Sequence, residues 1–126
     1  MPTSSASPEK GSLSEKFSAF SDHWSPRIIA ELNGQHVKAT KFQGEFVWHH
    51  HDNEDEMFIV HRGEFTMEFR DRSVVLRAGD FIVVPRGVEH RPVAEHEVEI
   101  LLFEPAGTLN TGNADDSRAK LELERI

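Results

Sequence analysis

Phe46-Val47-Trp48-His49-His50-His51-Asp52-Asn53-Glu54-Asp55-Glu56-Met57-Phe58-Ile59-Val60 sets three consecutive histidines and four carboxylates between two apolar runs. The triplet lies mid-chain in a strand pattern, which separates it from a terminal purification tag. On a strand, alternate side chains share a face, so His49 and His51 point one way with Val47. His50 points the other way, with Phe46 and Trp48. Two imidazoles at this spacing stand ~6.5–7 Å apart along the backbone, and their nitrogens can converge on one ion at ~2.0–2.2 Å. A divalent ion also calls for a carboxylate. Glu56 opens the run Glu56–Val60 and shares parity with Phe58 and Val60. A tight connection between paired strands returns it beside the histidines. Asp55 is its main rival for that role.

Working outward, the chain reads as many short strands with turn signals between them. Arg27–Leu32, His36–Phe42, Phe46–His51, Glu56–Val60, Phe65–Phe69, Val74–Leu76, Phe81–Val84 and Val98–Phe103 are separated by Asn33-Gly34, Gln43-Gly44, Arg62-Gly63, Asp71-Arg72, Ala78-Gly79 and Pro85-Arg86-Gly87. That punctuation, with no long helix to support βαβ units, indicates an all-β sandwich or barrel. Phe81-Ile82-Val83-Val84 shows no alternation and is expected to be covered on both faces. Before the strands, Leu13, Phe17, Phe20 and Trp24 recur at helical steps. Ser12 stands as N-cap, Glu15 as capping-box partner, and Pro26 is the stop. The expected organisation is a flexible leader over 1–12, a single domain over 13–104 that includes a helix at 13–24, and an extension over 105–126. A short helix is expected from Asp115 to Ile126.

Composition narrows the function. The 126 residues carry 14 Lys and Arg against 22 Asp and Glu, a formal charge of −8. The middle, 41–104, holds fourteen of the acids and seven of the bases. A body that acidic repels phosphate backbones, and no basic stripe with interleaved aromatics offsets it, so nucleic acid is not an expected partner. No apolar run approaches the ~20 residues of a membrane span, and the N-terminus lacks the apolar core of a secretory signal. Without cysteine there are no disulfides and no thiolate metal sites. The expectation is a cytoplasmic protein.

A second cluster lies downstream. A strand pattern over Phe81–Val84 runs into the turn Pro85-Arg86-Gly87, and His90 follows, placed to come back over the sheet. Spacing alone does not bring His90 to the first cluster. Here the sequence resembles the cupin superfamily. Gly44-x4-His49-x-His51-x4-Glu56-x6-Gly63 is similar to the first cupin motif, and Gly79-x5-Pro85-x-Gly87-x2-His90 to the second, with 15 residues between them. That short separation is like that of small bacterial single-domain cupins. Two positions depart from the pattern. Four residues rather than the usual five separate Gly44 from His49, and Ala94 stands where an Asn is often found.

The resemblance implies a double-stranded β-helix, the jelly-roll cupin barrel. In it, His49, His51, Glu56 and His90 line the interior and bind one divalent metal. The donor set suits Fe, Mn, Ni or Zn without choosing among them. Three imidazoles and one carboxylate leave two positions open on an octahedral ion, enough for a small oxygen-coordinating organic substrate. Similar cupins include dioxygenases, isomerases, lyases and cyclases. The alternative is a non-catalytic module that holds a sugar or other small ligand over the metal. The apolar lining is expected from Val47, Phe58, Val60, Phe65, Met67 and Phe69. Lys41 is a candidate to support the ligands from behind, and Arg86 and Glu89 are expected to hydrate their turn. Phe46 and Trp48, on the outer face with His50, call for a cover, which the helix at 13–24 or a second subunit could supply; a homodimer is favoured, since small cupins are commonly dimeric.

Overall fold

A computed structural model describes residues 7–126 and contains one short helix and seven strands. β1 (Arg27–Leu32) and β2 (Gln35–Glu45) form a hairpin through Asn33-Gly34. Both turn residues have positive φ, 52° and 75°, which a two-residue hairpin turn of this kind requires and Asn-Gly supplies at low cost. β3 (Glu56–Arg62), β4 (Glu64–Phe69), β5 (Ser73–Arg77), β6 (Phe81–Val84) and β7 (His90–Pro105) follow. All pairings are antiparallel, in the order β1-β2-β7-β3-β6, with β4 joining β7 and β5 joining β4.

β7 changes partners along its length, and that change folds the sheet over. On one side β4 pairs with its start, His90–Val93, and β3 with Glu99 to Phe103, while β2 lies along the other side from Val93 to Pro105. The exposed Glu95-His96-Glu97 marks the bend between the halves. The result is a β-barrel of jelly-roll type. Its core holds Phe42, Phe58, Val60, Phe65, Met67, Leu76, Val98, Ile100 and Leu102, each worth about 1.5–3 kcal/mol when fully buried.

Four expectations change. The helix α1 covers only Leu13–Ser18, capped by the Ser12 side chain on the Glu15 N–H. Beyond Ala19 the chain is a strap on β2: the Trp24 N–H donates to Lys41 O (2.8 Å) and Lys41 Nζ donates to Phe20 O (2.7 Å). Trp24 has a left-handed φ of 59°, which no helix accommodates. Helical spacing at Phe20 and Trp24 is therefore a coincidence of two separate anchors, and Lys41 serves the strap rather than the site.

The run Phe46–His51 is not a regular strand. The Phe46 N–H donates to Pro92 O and the His49 N–H to His90 O, so three steps on this segment face two on β7. That extra residue is a bulge. It turns Phe46 inward, to 7% exposure, onto the same side as His49. Trp48 lies under the guanidinium groups of Arg70 and Arg91. The outer aromatic pair on which the homodimer expectation rested does not exist.

β6 is an edge strand, uncovered on one face, with Phe81 64% and Val83 51% exposed. Residues 115–126 form turns rather than a helix, and Arg125 bridges Ile28 of β1. Of the expected leader, residues 1–6 lie outside the described residues, and 7–12 carry no helix or strand. Among the described residues, no helix is long and apolar enough to cross a membrane.

Candidate metal centre

His49, His51, Glu56 and His90 are all buried, and one potential ligand atom from each lies within 4.8 Å of the other three. Separate pieces of the fold deliver them. His49 and His90 exchange both backbone bonds, N–H of His49 to O of His90 (3.1 Å) and N–H of His90 to O of His49 (2.9 Å). His51 O accepts from the Gly87 N–H (2.8 Å), which ties the triplet to the Pro85-Arg86-Gly87 turn. Glu56 is the first residue of β3, opposite Val84 of β6.

The rings are aimed. Nδ1–H of His49 donates to Val47 O and Nδ1–H of His90 donates to Val88 O, each at 2.9 Å. A histidine held this way presents its Nε2 lone pair to the site, as metal-ligating histidines do. Glu56 Oε1 lies 3.2 Å from His51 Nε2 and 3.5 Å from His90 Nε2. The angles do not make hydrogen bonds, and all three atoms are buried without a partner. Buried polar atoms in native proteins are normally satisfied. Three nitrogens and one carboxylate oxygen converge, the oxygen and two of the nitrogens unsatisfied, and such a set suits one divalent ion of the Fe, Mn, Ni or Zn kind.

The local electrostatics agree with a cation seat. Burial, then the neighbouring His90, pushes His49 down to about 4, so the ring is neutral at neutral pH. Burial raises Glu56, but the close Glu104, His51 and His90 side chains outweigh it and keep the carboxylate well below its usual range. Glu104 moves the other way, raised by burial and then by the Glu56 charge, with Lys38 opposing.

The remaining candidates lie elsewhere. His50 faces outward and pairs with Asp52 (2.8 Å). Asp55 accepts the backbone N–H and the guanidinium of Arg86 (2.9 and 3.3 Å), so it braces the turn at 85–87 and takes no place beside the histidines. Glu89 pairs with Arg70, and His61 pairs with Glu99 while stacking on Phe17.

Three features were missed. Lys38 and Glu104 form a fully buried ion pair, Nζ to Oε2 2.5 Å, behind Glu56. Alternation signals it, because Lys38 shares the inward parity of Thr40 and Phe42, and Glu104 that of Ile100 and Leu102. The second is a clamp from the C-terminal extension. Asn113 Oδ1 accepts the His50 N–H (2.8 Å), and the Asn113 N–H donates to His50 O (3.1 Å). Gly112 packs so closely that a Cβ there would lie 2.3 Å from His50 O and 3.1 Å from the His49 ring. The third is a small apolar recess, with room of about 20 Å³, that opens beside His49 and Glu56. Phe58 was expected there. Trp24, Phe46 and Leu102 were not.

The sequence model of the cupin domain matches residues 37–104. A solved cupin-2 domain protein from Shewanella frigidimarina is 49% identical, covers 75% of this chain and 92% of its own, and superposes with a TM-score of 0.74. A solved protein from Neisseria meningitidis is 30% identical over 78% of this chain and 100% of its own, TM-score 0.72. An uncharacterised Bacillus subtilis protein, YdbB, is 44% identical over 64 residues, half of this chain and 57% of that protein.

Proposed function

This chain belongs to the cupin domain family, and from that premise we propose that His49, His51, Glu56 and His90 hold one divalent metal ion. On this reading the protein is a metal-dependent enzyme acting on a small organic molecule that coordinates through oxygen, of dioxygenase, isomerase, lyase or cyclase type. The observation that carries it is the convergence of His51 Nε2, His90 Nε2 and Glu56 Oε1, buried and without hydrogen-bond partners. A bound ion would supply Lewis acidity, polarising an oxygen of the substrate. The chain's own part is to hold three neutral rings and one charged carboxylate in place, and to keep bulk water away with the aromatic wall of the recess.

A second reading, a non-catalytic module that holds a small ligand over the metal, draws support from the recess itself. Its only polar side chains besides His49 and Glu56 belong to Asn110 and to the Trp24 indole. Both are already hydrogen-bonded elsewhere, so no free general acid or base faces the site. Turnover assays with and without oxygen separate the two readings. We also propose a cytoplasmic homodimer, with Phe81 and Val83 on the open face of β6 as the contact. Sedimentation that shows only monomer at tens of micromolar removes it.

Elemental analysis of protein purified without added metal tests the site. We expect a stoichiometry near one per chain, lost in His51→Ala and in Glu56→Ala and kept in His50→Ala, whose ring faces outward. A metal content unchanged by the first two substitutions would overturn the assignment.

A further inference from the structure

We propose that Glu104, anchored by Lys38, is a positioning residue for the metal: it holds the Glu56 carboxylate where that carboxylate completes the ligand set. The inference rests on the metal reading above and gives a role to a buried ion pair that the ligand set leaves unused.

Register places the pair. β3 and β7 run antiparallel, with Val60 opposite Ile100, Phe58 opposite Leu102 and Met57 opposite Phe103. One step further along that ladder sets Glu56 beside Glu104. Both continue the inward row of Phe58 and Leu102, and both are buried, 3% and 1% exposed. Side chains opposed in this way stand about 4.5–5.5 Å apart at Cβ. Besides His51 and His90, the side chain that acts most strongly on Glu56 is Glu104. On the far side, β2 brings Lys38 opposite Leu102. Its Nζ donates to Glu104 Oε2 (2.5 Å) and to Thr108 O (3.3 Å). Glu104 Oε2 is thereby taken, while its Oε1 is buried with no partner, as is Oε1 of Glu56. The interior row runs Lys38, Glu104, Glu56 and then the histidines.

Stability does not explain that row. Two acids opposed on neighbouring strands repel when both are charged. A buried ion pair is often no more stabilising than apolar residues of similar volume. Phe58 and Leu102, one pair back from Met57 and Phe103, show that apolar side chains fit this interior. What apolar residues cannot do is fix a metal-binding carboxylate. A glutamate side chain has much rotamer freedom to lose, and ligating carboxylates are held by a partner outside the ligand set. Glu104 is the partner in place, and Lys38 keeps it from turning away.

Replacing the pair separates fold from site. Lys38→Met with Glu104→Leu removes both charges and keeps the interior apolar. Lys38→Met with Glu104→Gln keeps an amide that can donate to Glu56. Each metal-free, full-length protein is titrated with cobalt(II) against a competing chelator, while visible absorption reports the geometry around the bound ion. Urea unfolding of the same metal-free samples reports the fold. We expect the apolar double variant to unfold close to wild type, yet to bind cobalt about 10–100-fold more weakly and with an altered absorption band. The amide double variant should recover most of that affinity and the wild-type band. Glu104→Asp, which keeps the charge and shortens the reach, replaces the apolar variant should that one not fold, and it too should weaken binding and alter the band. Wild type that fails to bind cobalt near one per chain overturns the metal reading and this inference with it. One cobalt per wild-type chain overturns this inference alone if affinity and band are unchanged in the apolar variant or its Asp replacement, or if the amide variant binds as weakly as the apolar one.

Discussion

Acidifying the metal-free protein should cost it stability in a window set by one ring. In the folded chain, burial and then the charge of His90 bring His49 down from 6.5 to about 4. In the unfolded chain the same imidazole titrates near ~6.5. Between those values the unfolded chain takes up a proton that the folded chain refuses, so lowering the pH favours unfolding. The stabilisation from a neutral, buried His49 is complete above about pH 6.5, declines through the window, and is gone below about pH 4. At 1.36 kcal/mol per pH unit, a span of roughly 2.5 units comes to about 3 kcal/mol. The assay is urea unfolding of the metal-free wild type beside His49→Gln, whose amide does not titrate, at steps from about pH 7 to about pH 4. Glu56 and Glu104 titrate in both proteins, so the comparison isolates the ring. Wild type should lose about 3 kcal/mol more than the variant over that range. Parallel declines would refute the argument, because they would mean that His49 protonates in the folded state as readily as in the unfolded chain. Added metal should stabilise the protein most near neutral pH and progressively less toward the acid end, since it binds only the neutral ring.

Lys38→Met leaves Glu104 buried without its partner and should cost about 3–5 kcal/mol in chemical denaturation, while Lys38→Met with Glu104→Leu should recover most of it. A loss of under about 1 kcal/mol in the single variant would show that the pair is not desolvated. Gly112→Ala should lower stability by about 2 kcal/mol or more and weaken metal retention, because its Cβ would collide with the His50 carbonyl and crowd the His49 ring. Gly34→Ala is the control: φ is also positive, 75°, but nothing lies within 4 Å, so only the backbone cost of about 1 kcal/mol applies. Equal losses at the two positions, measured by thermal unfolding, would mean that the extension does not press on the triplet.

The parity of the histidine triplet was legible because it depends only on local alternation, and the chain is extended through those three residues. The strands that became β1 and β3 to β6 were legible from their turns. Phe46 was misplaced because a one-residue bulge leaves no mark in the sequence yet reverses every face before it. The first half of β7 was hidden by Pro92 and by the charged bend at Glu95 to Glu97, both of which read as loop. Pro92 fits because its carbonyl, which it retains, is the group that bonds Phe46. The spacing of Phe20 and Trp24 fitted a helix equally well as a strap, and only the backbone at Trp24 separates the two. The extension after Pro105 has no periodicity. Its structure comes from contacts with Ile28, Glu45 and His50 that no local pattern encodes.

The Asn113 clamp also orders events in time. A chain leaves the ribosome from its N-terminus, at roughly 5–20 residues per second. All four side chains of the proposed metal site have therefore been synthesised by His90, while Gly112 and Asn113 are still to come. Glu124 to Ile126, which stitch the extension to Ile28 of β1, come later still. A nascent chain thus carries the full donor set before it owns the piece that locks the triplet in register.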